Sequence, residues 1–182
     1  VSGALRLFVA AEPPEAVCAE LERWTRHAVG APSRRLAADL LHLTLCFLGP
    51  QPATAVGELS GVLGAVVEEL AAVEELIVGA PVWLPPRRPR VLAVEVVDPA
   101  GALHALHRAL VVELEATLGW RAPRERYRPH ITVARMRGGS ERPRALPPTP
   151  ALSFAPAALT LFRSTLDPAG ATYTAMASIP LR

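Results

Sequence analysis

The chain alternates between short continuous apolar runs and longer stretches with a helical apolar stripe. Residues 5–11 (LRLFVAA) form a short apolar run and read as a buried strand. Pro13-Pro14 then opens a helix, proline being tolerated in the first turn. Val17, Leu21, Trp24 and Ala28 recur at helical spacing and Gly30 supplies a stop, while His27 falls on the solvated face. A turn at Ala31-Pro32-Ser33 leads to a strand over 40–48, ended by Gly49-Pro50. Residues 53–76, rich in Ala, Val and Glu, predict a helix, weakened near its start by Gly57, Gly61 and Gly64. A strand follows over 77–84, and 85–89 is a loop.

The order then repeats. Residues 90–97 (RVLAVEVV) read as a strand, and Asp98-Pro99 reads as the N-cap and first position of a helix. Leu103, Leu106, Leu110, Leu114 and Leu118 form its apolar stripe and Gly119 closes it, leaving His104 and His107 off the stripe as surface residues. An Arg-rich loop precedes a strand over 130–136. After a Pro- and Gly-rich loop over 138–150, strands over 152–166 and 171–179 join through a turn at Asp167-Pro168-Ala169-Gly170. A strand–helix–strand unit thus occurs twice, a duplication of architecture.

Each repeat ends in the same four-residue pattern: His42-Leu43-Thr44-Leu45 and His130-Ile131-Thr132-Val133. Residues i and i+2 of a strand share a face. Each copy therefore aims an imidazole and a hydroxyl one way and aliphatic side chains the other. Leu, Ile and Val surround both histidines, where an unpaired imidazole is costly to bury. If the two strands face one cleft, a proton donor and a proton acceptor stand across a phosphorus atom, as in-line displacement requires. The Thr44 and Thr132 hydroxyls would donate to its non-bridging oxygens. Histidine suits both roles because its ordinary pKa lies near neutrality.

Composition narrows the alternatives. The 182 residues, 51% hydrophobic, suffice for one domain or two small lobes sharing a core. No apolar stretch approaches the roughly 20 residues of a membrane span, and the start lacks signal-peptide features. A soluble, cytoplasmic monomer is therefore expected. All 19 basic residues are Arg, and the absence of Lys excludes a Walker-A loop and any lysine-linked intermediate. Two cysteines are too few for a disulfide framework or a cysteine metal site. Neither motif carries Asp, Glu or Cys at ligand spacing, so no metal and no other cofactor is expected. A serine hydrolase lacks its Gly-x-Ser-x-Gly. Cys46 shares the face of His42 by alternation, as a nucleophile or as packing beside the cleft. Arg121, Arg124, Arg126, Arg128, Arg135, Arg137, Arg142 and Arg144 stand against only Glu125 and Glu141 over 120–144, a distribution suited to a polyanion.

These features resemble the 2H phosphoesterase superfamily, and within it the RNA 2′,3′-cyclic phosphodiesterases also named 2′-5′ RNA ligases. The likeness is carried by Arg6 to Ala10, Leu40 to Gly49, Arg90-Val91, Arg128 to Arg135, Leu161 to Leu166 and Tyr173. It implies an α+β, bilobal fold of two pseudo-symmetric antiparallel sheets with outer helices around a central groove. Residues 1–182 would be one domain of two intertwined lobes, each contributing one His-x-Thr-x motif. It implies metal-free opening of an RNA 2′,3′-cyclic phosphate end, tRNA halves included, to a 2′-phosphate. His42 would protonate the departing 3′ oxygen, His130 would activate water, and Thr44 and Thr132 would hold the phosphate. Arg135 matches an arginine near the nucleotide and Phe47 an aromatic that meets the base. Alternation, however, puts Phe47 on the core face with Leu43 and Leu45, so stacking requires a bulge. Run in reverse, the reaction joins RNA ends without ATP, but water at about 55 M should make hydrolysis dominate. Two other readings fit the same motifs: a 2H enzyme for a small cyclic nucleotide or ADP-ribose cyclic phosphate, and a non-catalytic RNA-end binding module.

Overall fold

The computed structural model describes residues 3–30, 33–70, 72–136, 143, 145–167 and 170–181. Nine strands and three helices are formed by these described residues. They are β1 (Leu5–Glu12), α1 (Glu15–Ala28), β2 (Arg34–Arg35), β3 (Leu43–Gln51), α2 (Ala55–Glu69), β4 (Leu76–Leu84) and β5 (Val91–Val97). After these come α3 (Ala102–Leu118), β6 (His130–Arg135), β7 (Ser153–Phe154), β8 (Ala158–Asp167) and β9 (Gly170–Pro180). A 3₁₀ turn, Ala38–Leu40, leads into β3. No helix among the described residues is long and apolar enough to cross a membrane.

The strands form one curled antiparallel sheet in the order β7-β4-β5-β6-β3-β1-β8-β9, with β2 against β6. The two expected sheets are the halves of this one. Among the described residues they join at a single residue pair, Leu43 opposite Ile131, and both side chains are fully buried. Beyond that pair β6 turns to β2, where Arg34 meets Arg135, and β3 stays with β1. The sheet therefore splays into a groove just past the join. Underneath, α1 packs against β6 and α3 against β3, so the helix of each repeat supports the other repeat's motif strand. The expected stripe of α3 is buried at Leu103, Leu106, Leu110 and Leu114.

Several boundaries differ from the sequence reading, each for a local reason. β3 does not stop at Gly49-Pro50; it runs on to Gln51, pairing Gly49 with Leu7 and Pro50 with Arg6. Gly49 takes a left-handed φ of 70°, and Pro50 lies where β6 has left, so its missing N–H costs no ladder bond. α2 ends at Glu69, well short of residue 76. α3 begins at Ala102, because a turn closed by Gly101 N–H to Asp98 O intervenes after Pro99. Asp98 still serves the helix end, accepting the backbone N–H of His104 at 2.9 Å. The single strand expected over 152–166 is two: β7 pairs with β4, and β8 pairs with β1 in the other half. Pro156 stands between them and has no N–H to continue a ladder. Pro168 and Ala169 of the expected final turn, residues 138–142 and 144 of the expected loop, and with them Arg137, Glu141, Arg142 and Arg144, lie outside the described residues.

Candidate active site

The Leu43–Ile131 pair fixes the site. Antiparallel register about it sets His42 opposite Thr132 and Thr44 opposite His130. All four point away from the core into which Leu43, Leu45, Ile131 and Val133 are buried. The two histidines stand on a diagonal of this pair.

Their rings are held alike. His42 donates from Nδ1 to the carbonyl of Leu40 at 2.9 Å, and His130 donates from Nδ1 to the carbonyl of Arg128 at 2.7 Å. In each case the acceptor is two residues upstream, and Nδ1 is the nitrogen it engages. The surroundings differ. His42 sits among Phe8 at 4.9 Å, Tyr173 at 4.9 Å edge-on and Phe162 at 6.2 Å. Burial lowers its pKa to about 4; the Leu40 carbonyl works the other way, and Arg135 and His130 add to the lowering. Near neutral pH His42 is therefore uncharged.

A pair of β-bulges decides what else reaches the groove. In β3, Val9 pairs with Cys46 and Ala10 with Thr44, so Leu45 is an extra residue. In β6, Leu92 pairs with Ala134 and Ala93 with Thr132, so Val133 is extra. Each bulge falls on the fourth residue of its motif. Simple alternation puts i+5 on the face opposite i; one extra residue reverses this. Phe47 and Arg135, each five residues after its histidine, accordingly turn outward, Phe47 being 43% exposed. The bulge that an outward-facing Phe47 requires is thus present. The same bulge turns Cys46 inward: it is buried and burial pushes its thiol up to about 12, the opposite of an activated nucleophile.

The groove comprises two hollows that meet at Thr44 and Phe47. The hollow beside His42, ≈ 450 Å³, is edged by Arg6, Arg34 and Arg135 as well as Phe8 and Tyr173. Arg6 lies 4.6 Å over the Phe47 ring. Among the described residues no carboxylate forms an ion pair with any of these three arginines. The hollow beside His130 is ≈ 300 Å³. Thr132 lines neither hollow and is part-buried opposite His42. No three His, Cys, Asp or Glu side chains among the described residues gather as a metal site.

Sequence reading did not assign Arg6, Phe8, Arg34 or Tyr173 to the site. Arg6 carried a signal, being a charge inside an apolar run on the same alternation face as Phe8. The 120–144 cluster contributes less than its composition suggested, since Arg121 and Arg128 pair with Glu115 at 3.7 Å and Glu95 at 2.9 Å. His104 and His107 are not merely solvated. His104 bonds to the buried Asp98 at 2.6 Å, and His107 stacks on Tyr127 at 4.0 Å.

Twin His-x-Thr strands joined back to back at the centre of a curled antiparallel sheet, with helices beneath, define a 2H phosphoesterase. Residues 13–168 match the 2′-5′ RNA ligase superfamily, to which the chain belongs. The chain is similar to the crystal structure of a Thermus thermophilus protein at 28% identity, covering 97% of this chain and 98% of that one with a TM-score of 0.83. It is similar to E. coli LigT complexed with 3′-AMP at 28% identity, covering 98% of both chains with a TM-score of 0.77. An RNA 2′,3′-cyclic phosphodiesterase of Aeropyrum pernix is 29% identical over 114 residues, a match spanning 63% of each protein.

Proposed function

We propose that the protein hydrolyses RNA 2′,3′-cyclic phosphate ends to 2′-phosphates, residues 1–182 acting as one unit whose intertwined halves each supply one motif. The observation that carries this reading is the register about Leu43 and Ile131. It sets two imidazoles, each pinned through Nδ1 to a carbonyl, diagonally across a space flanked by two hydroxyls. A phosphate there presents one apical oxygen to each Nε2. His130 Nε2 takes the proton of an attacking water while His42 Nε2–H gives one to the departing O3′. Thr44 and Thr132 donate to the non-bridging oxygens, and Arg135 supplies positive charge at the His42 hollow. Phe47, its ring exposed between the hollows, offers a face to the terminal base. His42 being neutral near pH 7, a bound phosphate anion itself raises that imidazole's proton affinity. The acid is thus charged when the substrate is in place.

The direct test is product analysis on an oligonucleotide with a 2′,3′-cyclic phosphate end, in EDTA. A 2′-phosphate alone is expected. A 3′-phosphate product would reverse the assigned leaving oxygen, and binding without turnover would leave an RNA-end binding module.

The lowered His42 pKa gives a prediction for stability. Between about 6.5 and about 4 the unfolded chain binds a proton at His42 that the folded chain does not. That contribution to stability is therefore complete above about 6.5 and is lost as pH falls toward 4. In urea titrations, His42→Gln should flatten this part of the pH–stability curve relative to wild type. Parallel curves for the two proteins would refute the assignment.

A further inference from the structure

We infer that Arg34 and Arg6, in the hollow beside His42, seat a second phosphate, the one that joins the terminal nucleotide to its 5′ neighbour. The inference rests on the cyclic-phosphate reading and adds an upstream contact to it. A ribose whose cyclic phosphate lies over Thr44 carries its 5′-oxygen at the other end of the sugar. The preceding phosphate therefore falls away from the motifs and toward the outer arginines of the same hollow, whose ≈ 450 Å³ suits one nucleotide.

The positive charge here exceeds what one cyclic phosphate requires. Arg6, Arg34 and Arg135 all line the hollow, and among the described residues no Asp or Glu lines it with them. A cyclic phosphate carries one negative charge, which Arg135 and a protonated His42 already offset. Arg135 is the arginine of the three that lowers the His42 pKa, which places it nearest the reacting phosphorus and leaves Arg6 and Arg34 farther out.

Arg34 is placed as an anion-binding group. β2 sets it directly opposite Arg135 on β6, a cross-strand pair of like charges that is unfavourable until an anion offsets it. Its side chain also crosses the splay of the sheet. The guanidinium lies against the backbone of Gly170 at the start of β9, where any Cβ would collide with it. The side chain thus starts from the half of the sheet that carries His130 and ends at the half that carries His42, spanning the hollow between them. Among the described residues no carboxylate claims its donors. Arg6 keeps its donors available in a different way. Its carbon Cζ lies 4.6 Å over the centre of the Phe47 ring, and such stacking occupies the guanidinium plane while leaving the in-plane N–H groups free. Ser164 adds a hydroxyl to the same hollow. Planar N–H forks of this kind match the oxygens of a phosphate and give shorter, stronger bonds than neutral donors. The seat reads the backbone and no base, so it favours the end of an RNA strand over a free cyclic mononucleotide of any base.

The test compares adenosine 2′,3′-cyclic phosphate bearing a 5′-hydroxyl with the same molecule bearing a 5′-phosphate. In wild type the 5′-phosphate should raise kcat/KM about tenfold or more, the effect of a hydrogen bond to a charged group, and this comparison needs no variant. Arg34→Gln should remove most of that gain, and Arg34→Lys, which keeps the charge but not the fork, should retain part of it. Arg35 supplies the control. It is the next residue on β2, turned to the other face with its guanidinium 3.5 Å from the Val29 carbonyl, so Arg35→Gln should keep the full gain. No gain from the 5′-phosphate in wild type, an undiminished gain in Arg34→Gln, or an equal loss in Arg35→Gln would each overturn the seat. Hydrolysis of neither probe nor of a cyclic-phosphate oligonucleotide would instead refute the cyclic-phosphate reading, and the seat with it.

Discussion

Replacing either motif histidine by alanine should lower kcat on a cyclic-phosphate oligonucleotide by about 10²- to 10⁴-fold. The two losses should be similar in size although the residues sit in unlike surroundings. His42 is packed among Phe8, Phe162 and Tyr173, whereas His130 stands at the open side of the groove. In the proposed mechanism, however, both act on the same displacement, one at each apical oxygen. For the same reason the double variant should be little worse than the worse single one, since groups that act as a unit are not additive. His42→Ala also leaves a void in an aromatic cluster, so its folding must be checked separately, and His42→Gln fills more of that space. Single-turnover rates with matched circular dichroism spectra give the answer. A folded His130→Ala within tenfold of wild type would remove the acid–base pair from the mechanism.

The second large effect falls on the residue pair beneath the site. Leu43→Ala should cost about 2–5 kcal/mol of stability, the usual range for truncating a fully buried leucine. Leu43 does more than fill space, because it and Ile131 are the one described register pair between β3 and β6. Loosening it lets the motif strands shift relative to each other, and a displacement of the order of 1 Å in a reacting pair can cost about 10²-fold in rate. Leu63→Ala supplies the control: it is equally buried but lies on α2, away from the groove. Both variants should lose stability in urea titrations. Only Leu43→Ala should also lose kcat under conditions where the protein remains folded. Equal kcat losses in the two would mean that the join does not align the site. Leu43 and Ile131 are in register contact, so their double variant should depart from additivity.

How these outcomes relate to the chain itself is clearest at particular residues. The two His-x-Thr-x motifs, the duplicated unit and most element positions were legible because they depend on local periodicity. Leu43 and Ile131 had to point inward and His42 and His130 outward once each stretch was a strand. Arg135 at five residues beyond its histidine was visible as a residue but not as a direction. For Phe47 alternation pointed to the core face unless a bulge intervened, and for Cys46 to the face of His42. Both turn on the extra residue at Leu45, and the direction of Arg135 on the extra residue at Val133, which show only against partner strands. The pairing of His104 with Asp98 and of His107 with Tyr127 escaped notice for a related reason, since Tyr127 reaches them from beyond the helix.

What the sequence determined by itself was the chemistry on offer and the face each motif would show, because alternation along a strand is a property of the backbone alone. What only the tertiary structure decided was the meeting of the two motifs across one residue pair, the outward turn of Phe47 and Arg135, and the approach of Arg6 and Arg34. Those depend on which strands lie side by side and where one of them carries a residue too many, and that is set by packing between segments far apart in the chain.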